Sequence, residues 1–298
     1  MTKYRKFLCL MSVLMLAACV GNVPPELPEP LRSATEAEHR ARRAYQENNF
    51  LEAIGYYRSA VEHYRRIDAL NEQIRTQLNI AQAALLINHL ETTKMALQTA
   101  EHLLTAANLS DYLPHWQLLQ SSYLLKTGRE PDALAMLNGL TQTAGDPEIS
   151  QAVRVNYAIA LVRLRSPEAQ SYIDTLKRQT LHRNARARLA RLEGELALEA
   201  GRHSAAENAY ENALEFYRNA LFQPGIAATL TELGDLKRLT GDPSASFVWQ
   251  RALSIRLSLD DHIEARRILE RLEHQALETG NTAAAEELEA QRQRLPVK

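Results

Sequence analysis

Cysteine and aromatic residues are scarce in this sequence, and its N-terminal apolar run is short. Only 2 of the 298 residues are Cys, and 6% are aromatic. Because Cys9 and Cys19 both lie near the N-terminus, the rest of the chain holds no zinc ribbon, no cysteine nucleophile and no internal disulfide. The apolar run, residues 7–16, is shorter than the roughly 20 residues that a membrane-spanning helix needs.

The sequence also lacks the motifs that carry catalysis, phosphate binding or metal binding. It contains no H-E-x-x-H, G-x-S-x-G, S-x-x-K or G-x-G-x-x-G pattern and no phosphate loop. Its nine His are scattered without metal-ligand spacing. Asp260 and Asp261 precede His262, where a helix cap is a better interpretation than a cation site. We therefore predict a protein that is not an enzyme and that has no cofactor and no metal site.

Charge and composition narrow the class of protein. The 35 Lys and Arg nearly balance the 36 Asp and Glu, which gives no reason to expect a nucleic-acid partner. Ala and Leu dominate the 45% apolar content, and no long alternating Val/Ile/Thr-rich run indicates a strand. The composition therefore predicts an all-α protein.

Prolines are concentrated in residues 21–33, at positions 24, 25, 28 and 30. Because proline lacks an N–H and restricts the residue before it, we expect this segment to be extended rather than helical. It is either a spacer, reaching about 3.1 Å per residue, or an unstructured tail.

The N-terminus shows basic residues at positions 3, 5 and 6, then the apolar run, then Leu16-Ala17-Ala18-Cys19. This order resembles the signal peptide and lipobox of bacterial lipoproteins. The resemblance implies that residues 1–18 are removed and that Cys19 receives a diacylglyceryl group and an acylated amino group. Several acyl chains would anchor the protein stably to a membrane. An ordinary secretory signal and an uncleaved anchor are the alternatives.

The residue after Cys19 bears on the location. In Gram-negative lipoproteins an Asp at that position favours retention in the inner membrane, so Val20 implies an outer-membrane anchor facing the periplasm. A Gram-positive source would imply the plasma membrane instead. We divide the chain into a signal peptide (1–18), a lipidated Cys with a Pro-rich linker (19–34) and a helical domain (35–298).

A repeated pattern is clearest around Gly201. A small residue, Gly194, lies on the helix before this glycine, and Ala206, Tyr210 and Ala213 share one face of the helix after it. Gly201 suits the left-handed conformation found just past a helix end. This order of residues resembles the tetratricopeptide repeat (TPR).

The same order recurs seven times at intervals of 36 to 40 residues, against about 34 in a standard TPR. We index each unit by the small residue that opens its second helix. These index residues are Ala53, Thr93, Ala133, Ala169, Ala206, Ala245 and Ala285. Hinge glycines fall at the same place in four units: Gly128, Gly201, Gly241 and Gly280.

The resemblance implies an all-α, TPR-like solenoid of about seven helical hairpins, coiled into a right-handed superhelix with a groove lined by the first helices. Small residues would let the two helices of a hairpin approach closely. We expect Tyr57, Tyr210 and Trp249 to fill the gap to the next unit. The polar last helix, residues 282–294, is typical of a terminal cap.

Six residues are candidates for partner binding on this groove. They are Arg75, Asn79, Gln82, Asn156, Arg188 and Arg191. Asn79 and Asn156 stand two residues before a small position, where TPR proteins often grip a ligand backbone. An amide suits a peptide group because it donates and accepts, and the arginines favour a carboxylate. Alternatively, all six are solvated polar positions.

The combined resemblance is to envelope TPR lipoproteins. It implies a membrane-anchored, non-catalytic scaffold or assembly factor that binds envelope proteins or their peptide segments. Pilus, outer-membrane and peptidoglycan-synthesis machineries all use such proteins; the pathway and the oligomeric state stay open. The alternative is a periplasmic carrier or sensor of a small apolar or glycan ligand, which would need an enclosed pocket.

Overall fold

The structure is a computed structural model that describes residues 28–140 and 146–296. The signal peptide (1–18), Cys19 and the first part of the linker lie outside the described residues. Lipidation, cleavage and the location that follows from them therefore stay predictions.

Fourteen α-helices and no strand form the part of the chain that the structure describes. We number them α1 (Glu29–Gln46), α2 (Phe50–Arg66), α3 (Leu70–Leu86), α4 (Leu90–Ala107), α5 (Leu113–Lys126), α6 (Glu130–Leu140), α7 (Pro147–Arg163), α8 (Ala169–Lys177), α9 (Arg183–Glu199), α10 (His203–Asn219), α11 (Gln223–Leu239), α12 (Ala245–Ser258), α13 (His262–Glu278) and α14 (Thr282–Arg294). None of these helices is long and apolar enough to cross a membrane.

The helices pack in consecutive pairs, α1 with α2 through α13 with α14, and each pair contacts the next. All seven index residues lie in the first turns of the second helices and are at most 4% exposed. A small residue is needed there because the two helices of a hairpin touch at that point. The predicted all-α, TPR-like solenoid of seven hairpins is confirmed.

Close approach within a hairpin depends on glycine at two sites. A Cβ atom on Gly194 would lie 2.4 Å from the Tyr210 ring, and one on Gly234 would lie 2.4 Å from the Trp249 ring. Tyr210 and Trp249 fill space inside their own hairpins and also belong to one core cluster with residues of the hairpins that follow, such as Leu230 and Ile268. Tyr217 packs directly against the next unit, because a Cβ on Gly225 would lie 2.5 Å from its ring.

The turns of the hairpins repeat one backbone conformation. The four hinge glycines have φ between +68° and +76°, which confirms the left-handed conformation predicted for Gly201. Asn48, Asn88 and Arg165 adopt the same conformation in the other hairpin turns, with φ of +63°, +55° and +52°. Asparagine tolerates it better than most residues, so Asn48 and Asn88 substitute for glycine.

The first helix begins earlier than the prolines suggested. Pro28 is the N-cap of α1, Pro30 lies in its first turn, and Ala34 is fully buried. The prediction that residues 21–33 are non-helical is therefore wrong from Glu29 onward. Proline is tolerated in a first turn because its missing N–H would have no partner there.

The last helix of the solenoid has a polar outer face. In the last helix, α14, Ala285 is the one buried residue. This confirms the polar outer face predicted for residues 282–294. Such a face stops the stacking of further hairpins because it offers no apolar surface.

Candidate functional site

The first helices of successive hairpins contact one another along one side of the solenoid. Contacts join α3 to α5, α5 to α7, α7 to α9 and α9 to α11. We call the surface formed by the first helices the inner face. All six candidate partner-binding residues lie on first helices, namely α3, α7 and α9.

At the N-terminal end of the inner face, a buried carboxylate collects three donors. Glu38 is 4% exposed and accepts hydrogen bonds from the Tyr64 hydroxyl at 2.7 Å, from Arg42 at 2.5 Å and from Arg75 at 2.9 Å. Burial alone would raise the pKa of Glu38, but the bonds from Tyr64 and Arg42 and the nearby positive charges lower it below its usual value. The candidate Arg75 is thus one half of an ion pair that joins α1 to α3.

Asn79 and Gln82 differ from the other candidates in having no partner. Both side chains are half-buried on α3, and neither makes a hydrogen bond within residues 28–140 and 146–296. Three positions apart, they lie on the same side of the helix. Two amides are therefore available on this part of the inner face.

Asn156 and Arg188 bind each other. The Asn156 amide is 1% exposed and donates to the Ser122 hydroxyl at 2.7 Å and to Ser121 at 3.3 Å. Its oxygen accepts from the Arg188 guanidinium at 2.7 Å. The Asn156 side chain therefore links α5, α7 and α9 and orients Arg188; direct contact between Asn156 and a partner stays a prediction.

Arg191 forms an ion pair that joins α9 to α11. Its Nε lies 3.0 Å from the Glu232 carboxylate. Burial raises the pKa of Glu232 to about 7; Glu195 and Asp235 add to this rise, and Arg191 opposes it. Burial would lower the pKa of Arg191, but the Glu232 charge and its other neighbours raise it.

Sequence reasoning missed Glu232, although a signal was present. Glu232 stands two residues before Gly234, as Asn79 stands two before Ala81 and Asn156 two before Ala158. Applying the same register to the sixth unit would have found it.

A second set of polar residues holds distant turns together. Asp261 is fully buried, and its carboxylate accepts from Asn88 and from Arg256, each at 2.8 Å. Asn88 also accepts a hydrogen bond from Lys126. We call these four residues, Asn88, Lys126, Arg256 and Asp261, the latch, because they join the α3–α4 turn to the α12–α13 turn.

The latch is reinforced by apolar packing. Leu259, which is 2% exposed, belongs to the same core cluster as residues of α1 to α5. Asp261 also caps α13 by accepting from the Glu264 N–H at 3.2 Å, which confirms the predicted helix cap. Within the described ranges, no group of three or more His, Cys, Asp or Glu side chains is placed to hold a metal ion.

No protein-family model matches the chain, and no curated protein matches it. Many solved structures share its fold, among them the three that follow. A Rap protein complexed with competence and sporulation factor has a TM-score of 0.65 at 15% identity, covering 90% of this chain and 76% of that one. The Rap conjugation gene regulator of plasmid pLS20, in complex with the Phr* peptide, has a TM-score of 0.67 at 16% identity, covering 93% and 80%. The apo form of the quorum sensor NprR from B. thuringiensis has a TM-score of 0.54 at 8% identity, covering 98% and 94%. At these identities the likeness shows a TPR-type fold.

Proposed function

We propose that this chain is a non-catalytic binding protein that holds an extended segment of another envelope protein along its inner face. The observation that carries the proposal is the pair Asn79 and Gln82, whose half-buried amides have no partner among the described residues. Neither amide is among the buried unpaired side-chain atoms of the described residues, so both reach solvent and are free to exchange water for a ligand. A bound segment would take the place of that water as their hydrogen-bond partner.

The chemistry of these two side chains suits a peptide. Each amide offers one acceptor and two donors, and a peptide backbone presents one donor and one acceptor at each residue. Side chains three positions apart on a helix are neighbours, so both amides are placed to contact one extended segment. Specificity would then come from other inner-face groups, among them Arg75 beside Glu38.

The similar structures support this proposal at the level of fold. One was solved with the Phr* peptide and another with competence and sporulation factor. They share less than a fifth of their residues with this chain, so no binding residue is carried over from them.

The proposed location rests on the N-terminal sequence. The Leu16-Ala17-Ala18-Cys19 motif supports a lipid anchor at Cys19, in the outer membrane of a Gram-negative cell or the plasma membrane of a Gram-positive one. The segments bound would then belong to envelope proteins, such as those of pilus, outer-membrane or peptidoglycan-synthesis machinery.

The test is crosslinking of the full-length protein in its own envelope, followed by identification of what copurifies. The test variant is Asn79→Ala/Gln82→Ala. The matched control is Gln98→Ala/Asn212→Ala, which removes two exposed amides from second helices. We expect one set of envelope partners, retained by the control and weakened about tenfold by the test variant, as loss of about 1.4 kcal/mol would do.

Two results would overturn the proposal. If the test variant keeps every partner as well as the control does, the inner-face amides do not bind them. If no protein is crosslinked and a small apolar molecule or glycan copurifies instead, a carrier of that ligand replaces the proposed binding of protein segments. A separate Cys19→Ala variant tests the anchor, since mass spectrometry should then find no acyl chains on the protein.

A further inference from the structure

Early and late parts of the solenoid meet at turns. Asn88, in the α3–α4 turn, donates to Asp261, in the α12–α13 turn, at 2.8 Å. Asn48, in the α1–α2 turn, lies 3.5 Å from the carbonyl oxygen of Leu221, in the α10–α11 turn. Both pairs are 173 positions apart, so the same register joins successive turns of one superhelix at two places. We call this contact between early and late turns the seam.

The seam contains little helix packing. In the part of the chain that the structure describes, every pair of helices that packs extensively lies within two positions along the chain. Across the seam, the buried Leu259 and the half-buried Ile255 join the core cluster of the first hairpins. The seam can therefore open while each hairpin keeps its own core and its packing against its neighbours, as contacts of low local stability do.

The polar groups at the seam favour closure only in part. The ion pair between Arg256 and Asp261 is formed between residues five positions apart, so it does not depend on the seam being closed. Beside it, Arg256 Nε and His262 Nδ1 are buried and make no hydrogen bond among the described residues. Unpaired buried polar atoms cost free energy, and opening admits water to this region. The bond from Asn88 is therefore opposed by a cost in the closed state.

The seam lies close to the amides that we propose bind a segment. Asn88 follows α3 and is six residues after Gln82, which is about 9 Å along a helix. Lys126, at the end of the first helix α5, donates to Asn88. Where successive turns of a superhelix touch, the inner face is reached only from its two ends. A segment that has a folded domain on each side cannot enter from an end, because neither domain can pass.

We propose that the seam is a gate, which opens at the Asn88–Asp261 contact to admit an extended segment sideways onto the inner face and then closes over it. The inference rests on the proposed function, because the gate serves the segment held by Asn79 and Gln82. The occupant is an internal stretch of a longer protein, with folded parts on both sides. Holding the seam closed should therefore slow both entry and exit of such a segment.

The probe for the test is a peptide that the full-length protein captures from a synthetic pool of random nonapeptides, identified by mass spectrometry. The same nonapeptide is then built into a linker between two copies of a small folded domain, so that it has no free end. We call this probe the tandem protein. Surface plasmon resonance measures its association and dissociation rates.

The seam is locked by Asn48→Cys/Leu221→Cys, joined with a short bismaleimide, which leaves the latch in place. The matched control, Arg58→Cys/Thr92→Cys, joins α2 to α4 across a contact that is also 3.5 Å long but lies within the first two hairpins. Locking before binding should lower the association rate of the tandem protein by about tenfold or more, and locking after binding should lower its dissociation rate as much. The control crosslink should change neither rate.

A second variant loosens the gate. Asn88→Gly removes the side chain that crosses the seam, and glycine suits the φ of +55° at this turn. The pair between Arg256 and Asp261 is retained, so no buried charge loses its partner. Association and dissociation of the tandem protein should both become about threefold faster, because the open state is more populated. Asn108→Gly is the control, since Asn108 is exposed and has a φ of +51° in the α4–α5 turn.

The outcomes separate the two proposals. Equal rates for the locked protein and its crosslinked control, or for Asn88→Gly and Asn108→Gly, would overturn the gate and leave the binding of segments intact. Failure to capture any nonapeptide would overturn the proposed function itself, and the gate with it.

Discussion

The Asn88 side chain donates a 2.8 Å hydrogen bond to the Asp261 carboxylate, although the two residues are 173 positions apart in the sequence. Asn88 lies in the turn of the second hairpin, and Asp261 caps the first helix of the seventh. A weaker contact of 3.5 Å, between the Asn48 amide and the Leu221 carbonyl, spans the same separation. The solenoid therefore curls until early and late turns meet.

Asp261→Asn should destabilise the protein by about 3–5 kcal/mol, because it leaves the buried Arg256 guanidinium without a counter-charge. Arg256 is 7% exposed. Denaturation by urea measures the loss, and small-angle scattering should show a larger radius of gyration as the latch opens. Asp260→Asn is the control, since Asp260 is exposed and its left-handed backbone tolerates Asn. Equal stability of the two variants would show that the latch contributes nothing.

Gly194→Ala and Gly234→Ala should each cost about 1–3 kcal/mol, because the new methyl group would collide with an aromatic ring. The measure is the midpoint of thermal or denaturant unfolding. Gly55→Ala serves as the comparison, because a Cβ at that helical position meets nothing within 4 Å. It should stabilise the protein by about 0.5–1 kcal/mol. A stabilising Gly194→Ala would contradict the packing described for Tyr210.

Glu38→Gln should destabilise the protein at pH 7 by about 1–3 kcal/mol, since the buried carboxylate accepts from Tyr64, Arg42 and Arg75. The folded-state pKa of Glu38 lies below its usual value of 4.5. Its contribution is thus present above about pH 4.5 and is lost as the pH falls through the lower, folded-state pKa. Urea denaturation at several pH values should show the difference from wild type shrinking in acid. The exposed Glu36→Gln on the same helix should show no such trend.

Several features of the fold could be predicted from the sequence because they depend on neighbours along the chain. Ala206, Gly201 and Gly194 each meet residues of their own hairpin, so a local pattern of small residues and hinges was enough. The Asp261 cap was predictable for the same reason, since its bond runs to Glu264 in the next turn. The start of α1 could not be predicted, because a proline such as Pro30 is common both in a linker and in the first turn of a helix.

The candidate site was less predictable than the fold. Asn79 and Asn156 occupy the same place in their repeats, yet Asn79 has no partner among the described residues whereas Asn156 is buried against Ser122 and Arg188. The position of a residue in its repeat does not determine which side chains of the adjacent first helix lie beside it.

The sequence by itself determined the all-α class, the seven hairpins and the conformation of their hinges, because the contacts responsible join residues within one or two units. Only the tertiary structure decided which positive side chains pair with a carboxylate and which do not. It also decided which early and late turns of the solenoid contact each other. Those outcomes depend on the curvature summed over many hairpins, which brings Asn88 to Asp261 and leaves Arg188 without a carboxylate.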